Sequence, residues 1–159
     1  MKTLFVVCAL LIVAGCSGDN DSTQPISLAP SIDQGVYGQV DFWEGNFMPM
    51  PYPENPDGGI TPVSRTIFFY EKTTFSDVVP EGYGTFYSEI KTNLIATTES
   101  GTDGRYEISL PPGEYSVFVR ENDLYYANGS DGEGYIWLVT VPQGETTEFV
   151  IEITHAAYF

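Results

Sequence analysis

The sequence predicts an all-β domain, an antiparallel seven-stranded β-sandwich. Three observations predict it. Apolar and polar residues alternate along several runs with the period of a strand that buries one face. Gly, Pro, Asp and Asn collect between those runs, and no stretch beyond residue 15 carries a helical period.

The candidate strands follow in chain order. The first two are 36–43 and 65–70, and 91–98 is the third. In the fourth, Tyr106, Ile108 and Leu110 alternate with Arg105, Glu107 and Ser109. Pro111-Pro112-Gly113 then reads as a tight reversal into the fifth, where Tyr115, Val117 and Val119 continue the pattern. The sixth is 135–141. The seventh sets Phe149, Ile151 and Ile153 against Glu148, Val150 and Glu152. Two segments interrupt the rhythm and read as loops: 44–63, whose five prolines bar an interior strand, and the aromatic, glycine-containing 75–89. Seven strands separated by such turns suit two packed sheets.

Ahead of this domain stands a different kind of segment. Lys2 precedes an unbroken apolar run, 4–13, whose ten residues fall short of the roughly 20 that a membrane helix needs. It ends in Val13-Ala14-Gly15-Cys16, which resembles the lipobox of bacterial lipoproteins. The resemblance implies a signal peptide over 1–15, cleavage before Cys16 and acylation of its thiol, with each buried CH₂ of the lipid contributing about 0.8 kcal/mol to membrane binding. Residues 16–34 are polar, hold two prolines and no aromatic, and read as a flexible tether to a domain over 35–159. The start of that tether, Ser17-Gly18-Asp19-Asn20-Asp21, resembles the acidic segment of surface-exposed lipoproteins of the Bacteroidetes. That implies an outer-membrane anchor with the domain facing outward.

Charge and cysteine usage bound what the domain can do. The formal charge is −16, and removing 1–15, with one Lys and no acid, leaves 5 basic and 22 acidic residues, or −17. Such a surface repels nucleic acid and anionic lipid headgroups. The acids are dispersed, as on a solvated surface that resists aggregation. Cys8 and Cys16 are the only cysteines, so the folded domain has no disulfide, thiolate nucleophile or cysteine metal ligand.

The strand pattern reaches a second resemblance. The run Thr102-Asp103-Gly104-Arg105-Tyr106-Glu107-Ile108-Ser109-Leu110-Pro111-Pro112-Gly113-Glu114-Tyr115-Ser116-Val117 is similar to the signature of the carboxypeptidase regulatory-like domain. Gly35-Val36-Tyr37-Gly38-Gln39-Val40 resembles the family's first strand. Glu44-Gly45-Asn46-Phe47-Met48-Pro49 and Tyr126-Ala127-Asn128-Gly129-Ser130-Asp131-Gly132-Glu133-Gly134 resemble segments of Bacteroidetes lipoproteins that carry it. The resemblance implies a transthyretin-like sandwich and an accessory role without peptidase activity. Gly104 is expected at a positive φ, and Tyr106 and Tyr115 as neighbours across a hairpin.

Catalytic signatures are sparse. His155 is the one histidine, on the last strand, and is expected to be partly buried and hydrogen-bonded rather than catalytic. There is no Gly-x-Ser-x-Gly elbow and no lysine-bearing phosphate loop. No cofactor is expected, with calcium the one candidate. Asp123, Asn128, Asp131 and Glu133 offer hard oxygens in one glycine-rich stretch, against the competing reading of tight turns at Asn128-Gly129 and Asp131-Gly132. Trp43, Phe47, Tyr52, Tyr83, Phe86, Tyr87, Tyr125 and Tyr126 lie in or near loops, where exposed rings could stack on a sugar or a protein. The leading expectation is a non-enzymatic interaction module held to the membrane through Cys16, with a protein or carbohydrate partner. The alternative is a small carboxylate-dependent enzyme or a calcium-dependent module. Replacing the anchor, Cys16→Ser, should abolish incorporation of a labelled fatty acid and move the protein from the membrane to the soluble fraction. Continued labelling of that variant would place acylation elsewhere.

Overall fold

A computed structural model describes residues 29–48, 58–82 and 84–159. The long alternating run at the start of the domain becomes β1 (Gly35–Asn46). Its even-numbered members Val36 and Val40 are fully buried, as a one-faced strand requires. β1 is the centre of a five-stranded sheet. On one flank it pairs in parallel with β11 (Thr146–Glu148) and then β12 (Ile151–Tyr158); on the other it pairs antiparallel with β7 (Arg105–Ile108) and β2 (Gly59–Pro62).

The second sheet has seven strands and is wholly antiparallel. Its order is β4 (Val78–Glu81), β5 (Phe86–Ile90), β9 (Leu124–Tyr126), β8 (Gly113–Glu121), β3 (Thr66–Glu71), β6 (Leu94–Glu99), with β10 (Leu138–Val141) following β9 along the same flank of β8. Val36, Val40, Ile151 and Ile153 from the first sheet meet Ile67, Phe69, Val117 and Val119 from the second in one buried cluster. The chain is therefore a β-sandwich. Phe118, one residue out of phase with Val117 and Val119, turns to the opposite face and packs with Tyr70, Tyr87 and Ile136 in a smaller cluster.

The expected strands 36–43, 65–70, 91–98 and 135–141 appear as β1, β3, β6 and β10 with shifted ends. At 135–141 the strand begins only after Trp137, whose φ of 37° interrupts extended backbone. The segment 75–89, expected as a loop, instead forms a 3₁₀ turn (Phe75–Asp77) followed by β4 and β5. Pro80 disguises β4, and it is tolerated because β4 ends the sheet and needs a ladder on one side only. In 44–63, β1 continues to Asn46 and β2 returns beside it, while 49–57 lies outside the described residues. The short β9 and β11 carry too few residues to show an alternation.

A further correction concerns Pro111-Pro112-Gly113. It does not close a hairpin: β7 lies in the five-stranded sheet and β8 in the seven-stranded one. Two consecutive prolines offer no N–H to a ladder, and buried Leu110 carries the chain through the core from one layer to the other. Tyr106 and Tyr115 enter the same core from opposite sheets. The Tyr115 hydroxyl donates to the Pro111 carbonyl at 2.8 Å, the geometry of a tyrosine corner. Gly104 has the expected positive φ, 77°.

The docked start of the chain also departs from expectation. Residues 31–34, assigned to a flexible tether, are hydrogen-bonded to the domain. Ser31 donates its N–H to Glu107 Oε2 at 2.8 Å, and its hydroxyl donates to Oε1. Gln34 donates to the Leu110 carbonyl at 2.8 Å and accepts from Gly144 N–H at 2.9 Å.

Close approach along β1 demands glycine at position 38. A Cβ there would lie 2.0 Å from the Phe149 carbonyl oxygen, backbone that cannot swing aside. Gly38→Ala should therefore destabilise the domain by about 3 kcal/mol or more, whereas Gly132→Ala, with nothing within 4 Å of the new Cβ, should stay within about 0.5 kcal/mol of the parent. Urea unfolding of both variants checks the pair.

Candidate functional site

The lone histidine belongs to a charged network that joins the sheets. His155 sits within a bulge of β12, where Thr154 and His155 together face the single residue Trp43 of β1. Its Nε2 lies 2.9 Å from Glu121 Oε2, and Arg65 Nε donates to the other carboxylate oxygen. Glu121 ends β8 with a side chain 6% exposed; the imidazole is 21% exposed, the open part of His155 being its backbone. The rings of Phe42, Phe86 and Tyr126 surround the imidazole with centroids at 5.4, 5.2 and 5.4 Å. Both oxygens of the buried carboxylate are thus occupied by cationic or N–H partners. The group ties the residue before β3, the end of β8 and the bulge of β12 together.

Of the four calcium candidates, Asn128 and Asp131 use their side chains on local structure, whereas Asp123 and Glu133 join it through their backbones. Asp123 occupies the Asn122-Asp123 turn between β8 and β9, with φ values of 48° and 65° at the two residues, and its carbonyl accepts from Arg120 at 2.8 Å. Asn128 donates to Thr154 Oγ1 at 2.6 Å and to the Glu152 carbonyl at 3.3 Å, clamping the outer edge of β12. Asp131 Oδ1 accepts from the N–H groups of Glu133 and Tyr135 at 2.9 and 2.8 Å, closing a turn. Glu133 is exposed and joins that turn through its backbone. Among the described residues no three His, Cys, Asp or Glu side chains are grouped to hold a metal.

The aromatic candidates separate into three groups. Phe86 and Tyr126 belong to the main core and Tyr87 and Tyr125 to the smaller cluster, where Arg120 lies 4.6 Å above the Tyr125 ring. Tyr52, Tyr83 and Cys16, the residue expected to be acylated, lie outside the described residues. Trp43 and Phe47 do converge, and with a residue that the loop-based reading missed. Phe159 stacks on Phe47 at 5.8 Å and approaches Trp43 at 6.3 Å, with Trp43 to Phe47 at 5.1 Å. Phe159 and Tyr158 are each 67% exposed, and Met48 and Ile60 add exposed apolar surface. Trp43 Nε1 is buried with no acceptor among the described residues. Only the parallel pairing of β12 with β1, which sets Asn46 against Tyr158, brings these rings together.

The other end of β1 is polar. There Pro30 and Ser31 pass over Tyr37, Arg105 and Glu107 and wall a groove of about 420 Å³. The Ser31 hydroxyl, and then its N–H, hold the Glu107 carboxyl below the ordinary carboxylate range. Burial raises the pKa of the neighbouring Tyr106 phenol, which stays a donor to the Phe149 carbonyl at 2.6 Å. At roughly 3.3 Å per residue, Tyr37 in this groove and Trp43 in the aromatic cluster stand about 20 Å apart along β1.

No protein-family model, curated protein or solved structure matches the chain. Its residues therefore carry the functional reading alone. If Glu121 holds Arg65 and His155 in a desolvated network, Glu121→Ala should cost about 3 kcal/mol in urea unfolding, because two cationic or N–H groups lose their shared partner. A loss near zero would show that water replaces the carboxylate.

Proposed function

We propose that this protein is a lipid-anchored module of the cell envelope, held in the outer membrane through Cys16 and facing outward. In this reading it presents a non-enzymatic sandwich of the transthyretin-like, carboxypeptidase regulatory-like kind to a protein or glycan partner. The observation that carries the reading is the polarity of β1. The chain arriving from the anchor docks at the first end of the strand through Ser31 and Gln34, and the exposed ring of Phe159 gathers with the half-buried rings of Trp43 and Phe47 at the other. A contact surface that points away from the anchor is what a displayed module needs.

Two further features support a role without chemistry. The single histidine and Glu121, the most buried carboxylate among the described residues, are committed to each other and to Arg65. The hard-oxygen residues of the 123–133 stretch serve turns and a strand edge. The acidic surface, −16 overall, favours a neutral or basic partner over an anionic one.

The reading is tested with the full-length lipidated protein on cells, probed with an array of neutral polysaccharides and with detergent-solubilised envelope proteins. Binding to at least one probe is expected, with loss in the double variant Trp43→Ala/Phe47→Ala and retention in Tyr125→Ala. No binding by the parent, or binding indifferent to the double variant, would overturn it. Thermal melting of the purified variants separates lost contact from lost fold.

A further inference from the structure

An anchored protein that holds a partner carries tension between its two ends. Taking the direction of that load from the display reading above, we propose that the seam between β1 and the β11–β12 segment is a mechanical clamp. It resists tension between the anchor side and Phe159, the member of the aromatic cluster that follows β12, by loading its backbone hydrogen bonds in shear.

The argument rests on strand direction. β11 and β12 run parallel to β1, in a register that begins at Gly35↔Thr146 and ends at Asn46↔Tyr158. In a parallel pair the start of one strand and the end of its partner lie at opposite ends of the seam. Drawing Ser31 one way and Phe159 the other therefore slides the strands along each other, and the bonds across the seam share the load. In a hairpin the two free ends lie together, and the ladder opens one bond at a time.

Four features adapt the seam to this task. The gap between β11 and β12 is bridged, because Phe149 N–H donates to the Tyr37 carbonyl at 2.8 Å and Tyr106 donates to the Phe149 carbonyl. The opposite flank of β1 is held by β7 and β2, so the strand cannot swing sideways. At the anchor side, the bonds from Ser31 to Glu107 and from Gln34 to Leu110 pass tension into β7 and its following turn before it reaches Gly35. At the aromatic end, Phe47 N–H donates to the Tyr158 carbonyl at 2.7 Å and Phe47 stacks on Phe159. His155 and Asn128 meanwhile hold β12 to Glu121 and to the 127–137 segment, so it cannot lift away alone.

Single-molecule force spectroscopy tests the clamp on the full-length chain carrying Cys8→Ser and Cys16→Ser. One protein takes handles at Asp33→Cys and Phe159→Cys, which load the seam in shear. A second takes them at Asp33→Cys and Glu145→Cys, which peel the same seam from one end; all three positions are exposed. The expected result is a several-fold higher unfolding force for the first pair. Equal forces, or a lower force in shear, would overturn the clamp. A handle at Tyr158→Cys supplies a second shear pair if the first alters the thermal melt. Equal forces alongside intact partner binding would sink the clamp alone, whereas anisotropic forces without partner binding would sink only the display reading.

Discussion

Strand β1 has hydrogen-bonded partners on both flanks along nearly its whole length, and both ends of the molecule are organised by that constraint. Its buried face supplies Val36 and Val40 to the core, and its glycine at 38 lets the Phe149 carbonyl approach. Its first residues follow the docked segment 31–34, and its last ones carry Trp43 and the rings around it. Moving the β1–β12 register by one residue would turn Ile151 and Ile153 out of the core and separate Tyr158 from Asn46.

Without a disulfide, the sandwich is held by packing and by a few polar ties between its layers. Tyr115 and Tyr106 use their hydroxyls on backbone carbonyls at the points where the chain changes layer or strand pairing breaks. Glu121 joins the sheets through His155 and is held within its own sheet by Arg65, a network whose integrity depends on every member being satisfied. The strand edges are managed too. Pro80 and Pro62 lie on short edge strands, β6 carries a register shift opposite Phe69 and Tyr70, Thr147 bonds the Thr140 carbonyl, and Asn128 and Tyr126 cap β12.

Much of the architecture was legible because it is local. The alternation at Tyr106 and Ile108, at Val117 and Val119, and at Ile151 and Ile153 reports burial one strand at a time, and the positive φ at Gly104 follows from a turn that only glycine fits easily. The segment 75–89 was misread because Pro80 and the glycines hide two strands whose ladder runs on one side only. The Pro111-Pro112 turn misled for another reason: a short link between strands is the same length whether it reverses within a sheet or crosses the core.

The candidate site divides along the same line. Composition alone established one histidine, no thiol in the domain and an acidic surface, and these limit chemistry whatever the fold. It could not pair His155 with Glu121, set Asn128 on the edge of β12 or gather Phe159 with Trp43 and Phe47, because these contacts join residues 24 to 116 positions apart. Periodicity records which face of a strand is buried. Which strand lies beside it, and in which direction it runs, depends on packing between segments distant in the chain, so the opposed ends of β1 appear only in the folded molecule.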